Sequence, residues 1–193
     1  MAVFWYNENI MSLSIYHQKY ASLSDKEIAQ RTKEKAAELK TIFENVKITT
    51  ANEPMRIAVL GCGDKRYVSA HKKLFEEFYK KSVELTTFDI TVEHLAGEEN
   101  IIQHDCTLPL PNPPYHITYD HTILKFIETK KQWNILKNSY NALKPGGVAI
   151  HIIDKSDYET TVPLGQWKKK LRENNIKFQE IPVKYGLALI LIR

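Results

Sequence analysis

Residues Ile57-Ala58-Val59-Leu60-Gly61-Cys62-Gly63-Asp64-Lys65-Arg66 decide the reading of this chain. The first four form an unbroken apolar run of strand length, with no polar alternation to leave one face wet. Two glycines one residue apart end the run. Helical periodicity begins behind them, through Val68, Leu74, Phe75 and Phe78, between Tyr67 and Lys81. A buried strand, a sharp turn and a helix are the opening unit of a parallel sheet covered on both faces. Glycine at such a turn supplies positive φ and lets a ligand approach the backbone.

Downstream the same alternation continues. Val83 to Phe88 reads as a second strand closed by Asp89, followed by a short helical piece near Val92 to Leu95 and a strand at Asn100 to Gln103. The prolines of Leu108-Pro109-Leu110-Pro111-Asn112-Pro113-Pro114 forbid regular structure and predict an extended loop. Tyr115 to Tyr119 is the fourth strand, and Thr129 to Leu143 a helix with Trp133, Leu136, Tyr140 and Leu143 facing in. Lys144-Pro145-Gly146-Gly147 stops that helix before a fifth strand at Val148 to Ile153. Leu164 to Asn174 is a basic amphipathic helix, in which Lys168-Lys169-Lys170 reads as a solvated face. Lys177 to Lys184 and Leu187 to Ile192 form a hairpin about Tyr185-Gly186.

Upstream, Phe4-Trp5-Tyr6 opens an irregular lead segment. Ser24-Asp25-Lys26-Glu27 fits a capping box, and Ile28, Ala36, Leu39, Ile42, Phe43 and Val46 recur at helical spacing behind it. Asn52-Glu53-Pro54 is a linker, so the organisation predicted is an N-terminal helical lid or cap over 1–55 and a main domain over 56–193. At 193 residues the chain has room for little beyond one domain. With 43% hydrophobic and 26% charged residues it is neither a disordered polyelectrolyte nor a fibrous repeat. The formal charge of +4 argues against a nucleic-acid partner. Two cysteines suit a reducing, cytoplasmic setting, and no apolar stretch nears the ~20 residues of a membrane span. No export signal is evident.

The dinucleotide fingerprint would require a third glycine at Arg66, and Asp64 puts negative charge where a phosphate would sit. A phosphate-free cofactor fits better. Asp89 at its strand end suits either a pair of ribose hydroxyls or an N-cap. Asp105, after Gln103-His104, suits either an exocyclic amine or an Asx turn. His121 and His151 lie near strand ends, where a base would stand or where a structural histidine would be hydrogen-bonded. Seven histidines and two cysteines show no metal-ligand spacing, so no metal is expected.

The order of Val59-Leu60-Gly61-Cys62-Gly63, Asp89, His104-Asp105-Cys106 with Leu108-Pro109-Leu110-Pro111, and Leu143-Lys144-Pro145-Gly146-Gly147 resembles class I S-adenosylmethionine-dependent methyltransferases. The resemblance covers Arg56 to Arg193. It implies an α/β fold: a three-layer Rossmann-like methyltransferase sandwich with a mostly parallel seven-stranded sheet and an antiparallel C-terminal hairpin. It also implies S-adenosyl-L-methionine as cofactor and methyl transfer to a small-molecule substrate. Gly61, Cys62 and Gly63 would lie against the methionine part, Asp89 with Ile90 at the ribose, and Asp105 with Cys106 at the adenine. Tyr119, Asp120 and His121 would line the methionine and acceptor pocket, and they are the candidates for catalysis. A non-catalytic binding protein and a nucleic-acid or protein methyltransferase are the alternatives.

Three departures stand out. Val59 replaces a usual acid, and Lys65 a usual glycine, which leaves Lys65 as a partner for the donor's carboxylate. Asn112-Pro113-Pro114-Tyr115 spells the tetrapeptide of methyltransferases acting on adenine or amide nitrogens, but it precedes the fourth strand instead of following it. Trp5, Tyr6, Tyr16 and Tyr20 either wall the pocket or pack the first helix onto the domain.

Overall fold

The computed structural model describes residues 15–48 and 53–193, with side chains from His17 onward. Phe4-Trp5-Tyr6 and the side chain of Tyr16 therefore lie outside the described residues. Two helices, α1 (Ile15–Ala21) and α2 (Asp25–Asn45), precede the alternating unit. The unit itself runs β1 (Met55–Leu60), α3 (Arg66–Tyr79), β2 (Val83–Asp89), β3 (Ile101–Gln103), β4 (Tyr115–His121), α4 (Thr129–Asn141), β5 (Leu143–Asp154), α5 (Leu164–Glu173), β6 (Lys177–Val183) and β7 (Gly186–Ile192).

The capping box forms as the spelling requires. Ser24 accepts from the Glu27 amide at 3.3 Å, and Glu27 accepts from the Ser24 amide at 2.8 Å. The sheet order is β3-β2-β1-β4-β5-β7-β6. The strands β1 to β5 pair in parallel, whereas β7 runs antiparallel to both β5 and β6. This is the mostly parallel sheet with an antiparallel end that the sequence implies. Strand order reverses between β1 and β4, which opens a crevice at their carboxyl ends.

Each face of the sheet has its own cover. On one, Leu39, Ile42 and Phe43 of α2, Val46 just after it and Phe75 of α3 pack on Ile57, Val59, Ile117, Tyr119 and Ile150. The second part of the N-terminal segment is thus a covering layer of the sheet. On the other, Ile135 and Leu136 of α4 and Trp167 and Leu171 of α5 pack on Ala58, Leu60, Ala149 and Leu189. No helix among the described residues is long and apolar enough to cross a membrane.

Two strand limits differ from the sequence reading. β4 runs on through Asp120 and His121, because Asp120 and His121 pair with His151 and Ile152 of β5. β5 begins at Leu143 instead of Val148, so Leu143 opens a strand where the periodicity assigns it to the helix. Tyr115 pairs with Leu143 and Ile117 with Val148, so the Lys-Pro-Gly-Gly element is a bulge inside the ladder. A Cβ on Gly147 would stand 2.8 Å from the His116 carbonyl, which keeps that position bare.

Gln132 joins the layers below the sheet. Its amide nitrogen donates to the carbonyls of Leu124, Ile127 and Thr161, and its oxygen accepts from the Trp167 indole at 2.9 Å. Gln132→Leu strands all of these groups and should cost about 2 kcal/mol or more in urea unfolding; an unchanged midpoint would remove Gln132 from this role.

Candidate functional site

The turn after β1 is shaped by one glycine and one carboxylate. Gly61 has φ +76°, and a Cβ there would meet Ile123 Cδ1 at 3.1 Å. Its amide donates to the Phe88 carbonyl at 2.7 Å. The Cys62 amide donates to Asp89 Oδ2 at 2.8 Å, and the Thr91 amide to Asp89 Oδ1 at 3.2 Å. Asp89 therefore welds the ends of β1 and β2 and forms an Asx turn of its own. Asp105 makes a similar turn, accepting from the Thr107 amide at 2.9 Å. Burial works against its ionisation, but the Thr107 bonds hold its carboxyl below the usual range.

Arg66, the residue in the place of a third glycine, clamps this loop to the N-terminal helices. Its guanidinium donates to Asp64 twice, to Asp25 at 2.8 Å and to the carbonyls of Leu23 and Tyr20. The α1–α2 elbow is thereby fixed over the loop. Lys65 is exposed and lines no cavity described below.

A cavity of about 750 Å³ opens above the carboxyl ends of β1, β2 and β4. Gly61, Cys62, Gly63, Asp89, Ile90, Asp105, Cys106 and Tyr119 all line it, so seven of the eight expected cofactor contacts come from the loops ending β1, β2 and β3 and the last, Tyr119, from β4. The Ile90 side chain is 64% exposed at its rim, an apolar plate without cover. Burial pushes the Cys62 thiol to about 11 and the Cys106 thiol to about 12, so both stay neutral. Four further lining residues carry buried polar atoms with no partner among the described residues: the Tyr67 hydroxyl, both ring nitrogens of His71, Thr91 Oγ1 and His104 Nε2. These atoms lie behind the cavity surface, covered by neighbouring side chains, so the residues line the cavity with their other atoms.

His17 and His94 stack over Asp89, with ring centroids 4.0 Å apart, and the three bring one ligating atom each within 4.8 Å of one another. The lone pairs of stacked rings run side by side instead of converging, and His94 Nε2 is held by the Cys62 carbonyl at 2.6 Å. The group is a polar wall more than a cation cage.

A second cavity, about 670 Å³, adjoins the first over β4 and β5. Lys35 and Glu38 of α2 and His121 of β4 stand at the junction. His121 Nε2 lies 3.1 Å from Glu38 Oε2, and Glu38 is 7% exposed. With Nε2–H donated to the carboxylate, Nδ1 keeps the lone pair. Burial lowers the His121 pKa against the pull of Glu38, so the ring is neutral and able to take a proton. The Lys35 ammonium sits 4.0 Å from the centre of the Tyr67 ring, and burial depresses it to about 8.

Asp120 is placed elsewhere. It alternates to the α4 face, is fully buried and bonds Nδ1 of His151, whose Nε2 meets Ser139 Oγ at 2.9 Å. The three have the connectivity of a hydrolytic triad, but the sheet and α4 seal them from ligand. Adjacent strand residues face opposite sides, so Tyr119 and His121 reach the cavities while Asp120 cannot. Asn112-Pro113-Pro114-Tyr115 lies at the opposite, amino edge, where Arg56 donates to the Asn112 and Pro114 carbonyls at 2.8 Å.

Lys35, Glu38, Tyr67 and His71 escape the sequence reading. One signal existed: Lys35 falls midway between Ile28 and Ile42 in the apolar stripe of α2, where a core residue belongs.

The fold is that of class I S-adenosylmethionine-dependent methyltransferases. Among solved structures it is similar to DesVI of Streptomyces venezuelae (10% identity, 90% of this chain and 98% of that one, TM-score 0.66). It is also similar to a TehB-like S-adenosylmethionine-dependent methyltransferase from Corynebacterium glutamicum (12% identity, 87% and 97%, TM-score 0.58). A third, the O-methyltransferase NcsB1 of neocarzinostatin biosynthesis, matches at 13% identity over 71% of this chain and 48% of that one, with TM-score 0.52. No family model and no curated protein sequence matches.

Replacing Arg66 by Met keeps the aliphatic stem and deletes the clamp. Proteolytic cleavage at Ser22–Ser24 should then accelerate several-fold with the sheet intact by circular dichroism; an unchanged cleavage rate would show that the elbow is held by other contacts.

Proposed function

We propose that the chain is an S-adenosylmethionine-dependent methyltransferase acting on a small-molecule hydroxyl, in a reducing, cytoplasmic setting that keeps Cys62 and Cys106 free. One observation carries the reading: the cavity at the β1/β4 reversal brings together the glycine loop, Asp89 and Asp105. The related fold of NcsB1 is recorded with S-adenosylmethionine and with hydroxylated naphthoic acids, which supports the same division of ligands here.

The residues present fit the donor. Gly61, Cys62 and Gly63 would receive the methionine portion, with Tyr119 behind it. Asp89 has lone pairs left after its two amide bonds and would accept from the ribose hydroxyls. Ile90 would cover one face of the adenine, while Asp105 and the Cys106 backbone would meet its edge. When bound, S-adenosylmethionine supplies a sulfonium methyl that departs with its bond in line, leaving a neutral thioether. The protein's task is then alignment and exclusion of water. The α1–α2 cap excludes water, and His121, oriented by Glu38, takes the acceptor's proton through Nδ1. Tyr119 acts as a wall, since burial drives its hydroxyl pKa upward and keeps the phenol protonated.

Calorimetric titration tests the reading. S-adenosylmethionine and S-adenosylhomocysteine should both bind, and Asp89→Ala should weaken them by about tenfold or more, the scale of losing a charged hydrogen-bond acceptor. No heat at millimolar ligand would overturn the proposal. The pH profile of kcat/KM follows from the groups around His121, which are Glu38, Lys35 and Asp154. The lowered pKa means that the base is blocked only on the acid side of the ordinary histidine value. The rate should rise with pH through a point below 6.5 and be flat at neutrality, and His121→Gln should abolish that limb.

A further inference from the structure

The second cavity has a charge pattern that its own side chains do not balance. Seven charged residues line it: Lys19, Arg31, Lys35, Lys125, Glu34, Glu38 and Asp154. Lys125 is spent on Asp154 at 2.9 Å and Asp157 at 3.6 Å, and Glu34 on Lys184 at 3.0 Å. Glu38 is turned to His121. Lys19, Arg31 and Lys35 remain, and none has a carboxylate within ion-pair distance among the described residues. Lys35 is the telling one. A half-buried ammonium normally has an anionic partner in contact, and here the contact is the face of Tyr67, with the Glu38 carboxylate beyond ion-pair distance.

The apolar part of the wall is aromatic. Tyr20, Tyr67, Phe126 and Tyr185 surround the space, with Arg31 5.4 Å above the Tyr20 ring. Aromatic rings with cations lying over them suit a flat anion. The base at the junction suits an acidic hydroxyl, because neutral His121 is a match for a phenol and far too weak for an alkyl alcohol.

Building on the function proposed above, we infer that this cavity takes a planar aromatic acid bearing a phenolic hydroxyl. Its carboxylate would lie toward Lys35 and Arg31, its ring against the aromatic wall, and its hydroxyl at Nδ1 of His121. The first cavity and the second share Lys19, Tyr20, Lys35, Tyr67, His121 and Phe126, so the hydroxyl would face the methyl donor's side.

The test uses the full-length protein saturated with S-adenosylhomocysteine, so that any carboxylate site belonging to the donor is already filled. Three probes are titrated by fluorescence: 3-hydroxy-2-naphthoate, 2-naphthol and 2-naphthoate. Both acids should bind about tenfold tighter than 2-naphthol, and Arg31→Met with Lys35→Met should shrink that ratio to about twofold. The preference should also decline above about pH 8, as Lys35 loses its proton. His121→Gln should leave the binding of all three within about twofold while methyl transfer to 3-hydroxy-2-naphthoate is lost. Equal binding of acid and naphthol, or a preference that survives the double substitution, overturns the inference. So does a preference seen only without S-adenosylhomocysteine, because the cations then serve the donor. If S-adenosylhomocysteine itself fails to bind while the acids bind, the methyltransferase reading falls and the aromatic-acid site stands.

Discussion

The site depends on a carboxylate held by backbone. Asp89 is held in a buried position by the Cys62 and Thr91 amides, which donate to its two oxygens. Those bonds fix the path of the glycine turn relative to the end of β2, and the cavity floor follows from that path. Hydrogen bonds from amides to a carboxylate are strong and cost no side-chain entropy on the donor side. Asp89 also lines the cavity. The crevice between β1 and β4 would exist in any sheet of this order; Asp89 makes it a polar pocket of fixed shape.

The departures from the methyltransferase pattern have local causes. Val59 stands where an acid is usual, and its side chain is buried against Phe75 and Ile117, where a carboxylate would have no donor. Arg66 crowds the helix start for a phosphate, and the same bulk lets it reach Tyr20, Leu23 and Asp25 across the loop. Lys65 points to solvent, and the lysines that line the cavity are Lys19 and Lys35, from the two N-terminal helices.

The strands were legible because a parallel sheet buried on both faces needs continuous apolar runs, as Val148 to Ile153 and Ile57 to Leu60 show. Their limits were less so. The extension of β4 rests on pairing with β5, and the bulge at Lys144 to Gly147 rests on a register that no local signal carries. The loop residues of the site could be placed from strand ends alone. The Glu38–His121 pair could not, since it joins residues 83 apart in the chain. Asp120 shows the same limit from the other side: its place beside His121 in sequence suggests a shared pocket, yet alternation along β4 sends it beneath the sheet to His151.

Six side chains belong to both cavities at once. An occupant of one cavity would touch side chains that also wall the other, and by linkage any influence would run equally in both directions. The two ligands would not bind as independent events. A ligand left in one cavity would therefore change the affinity of the other for its own.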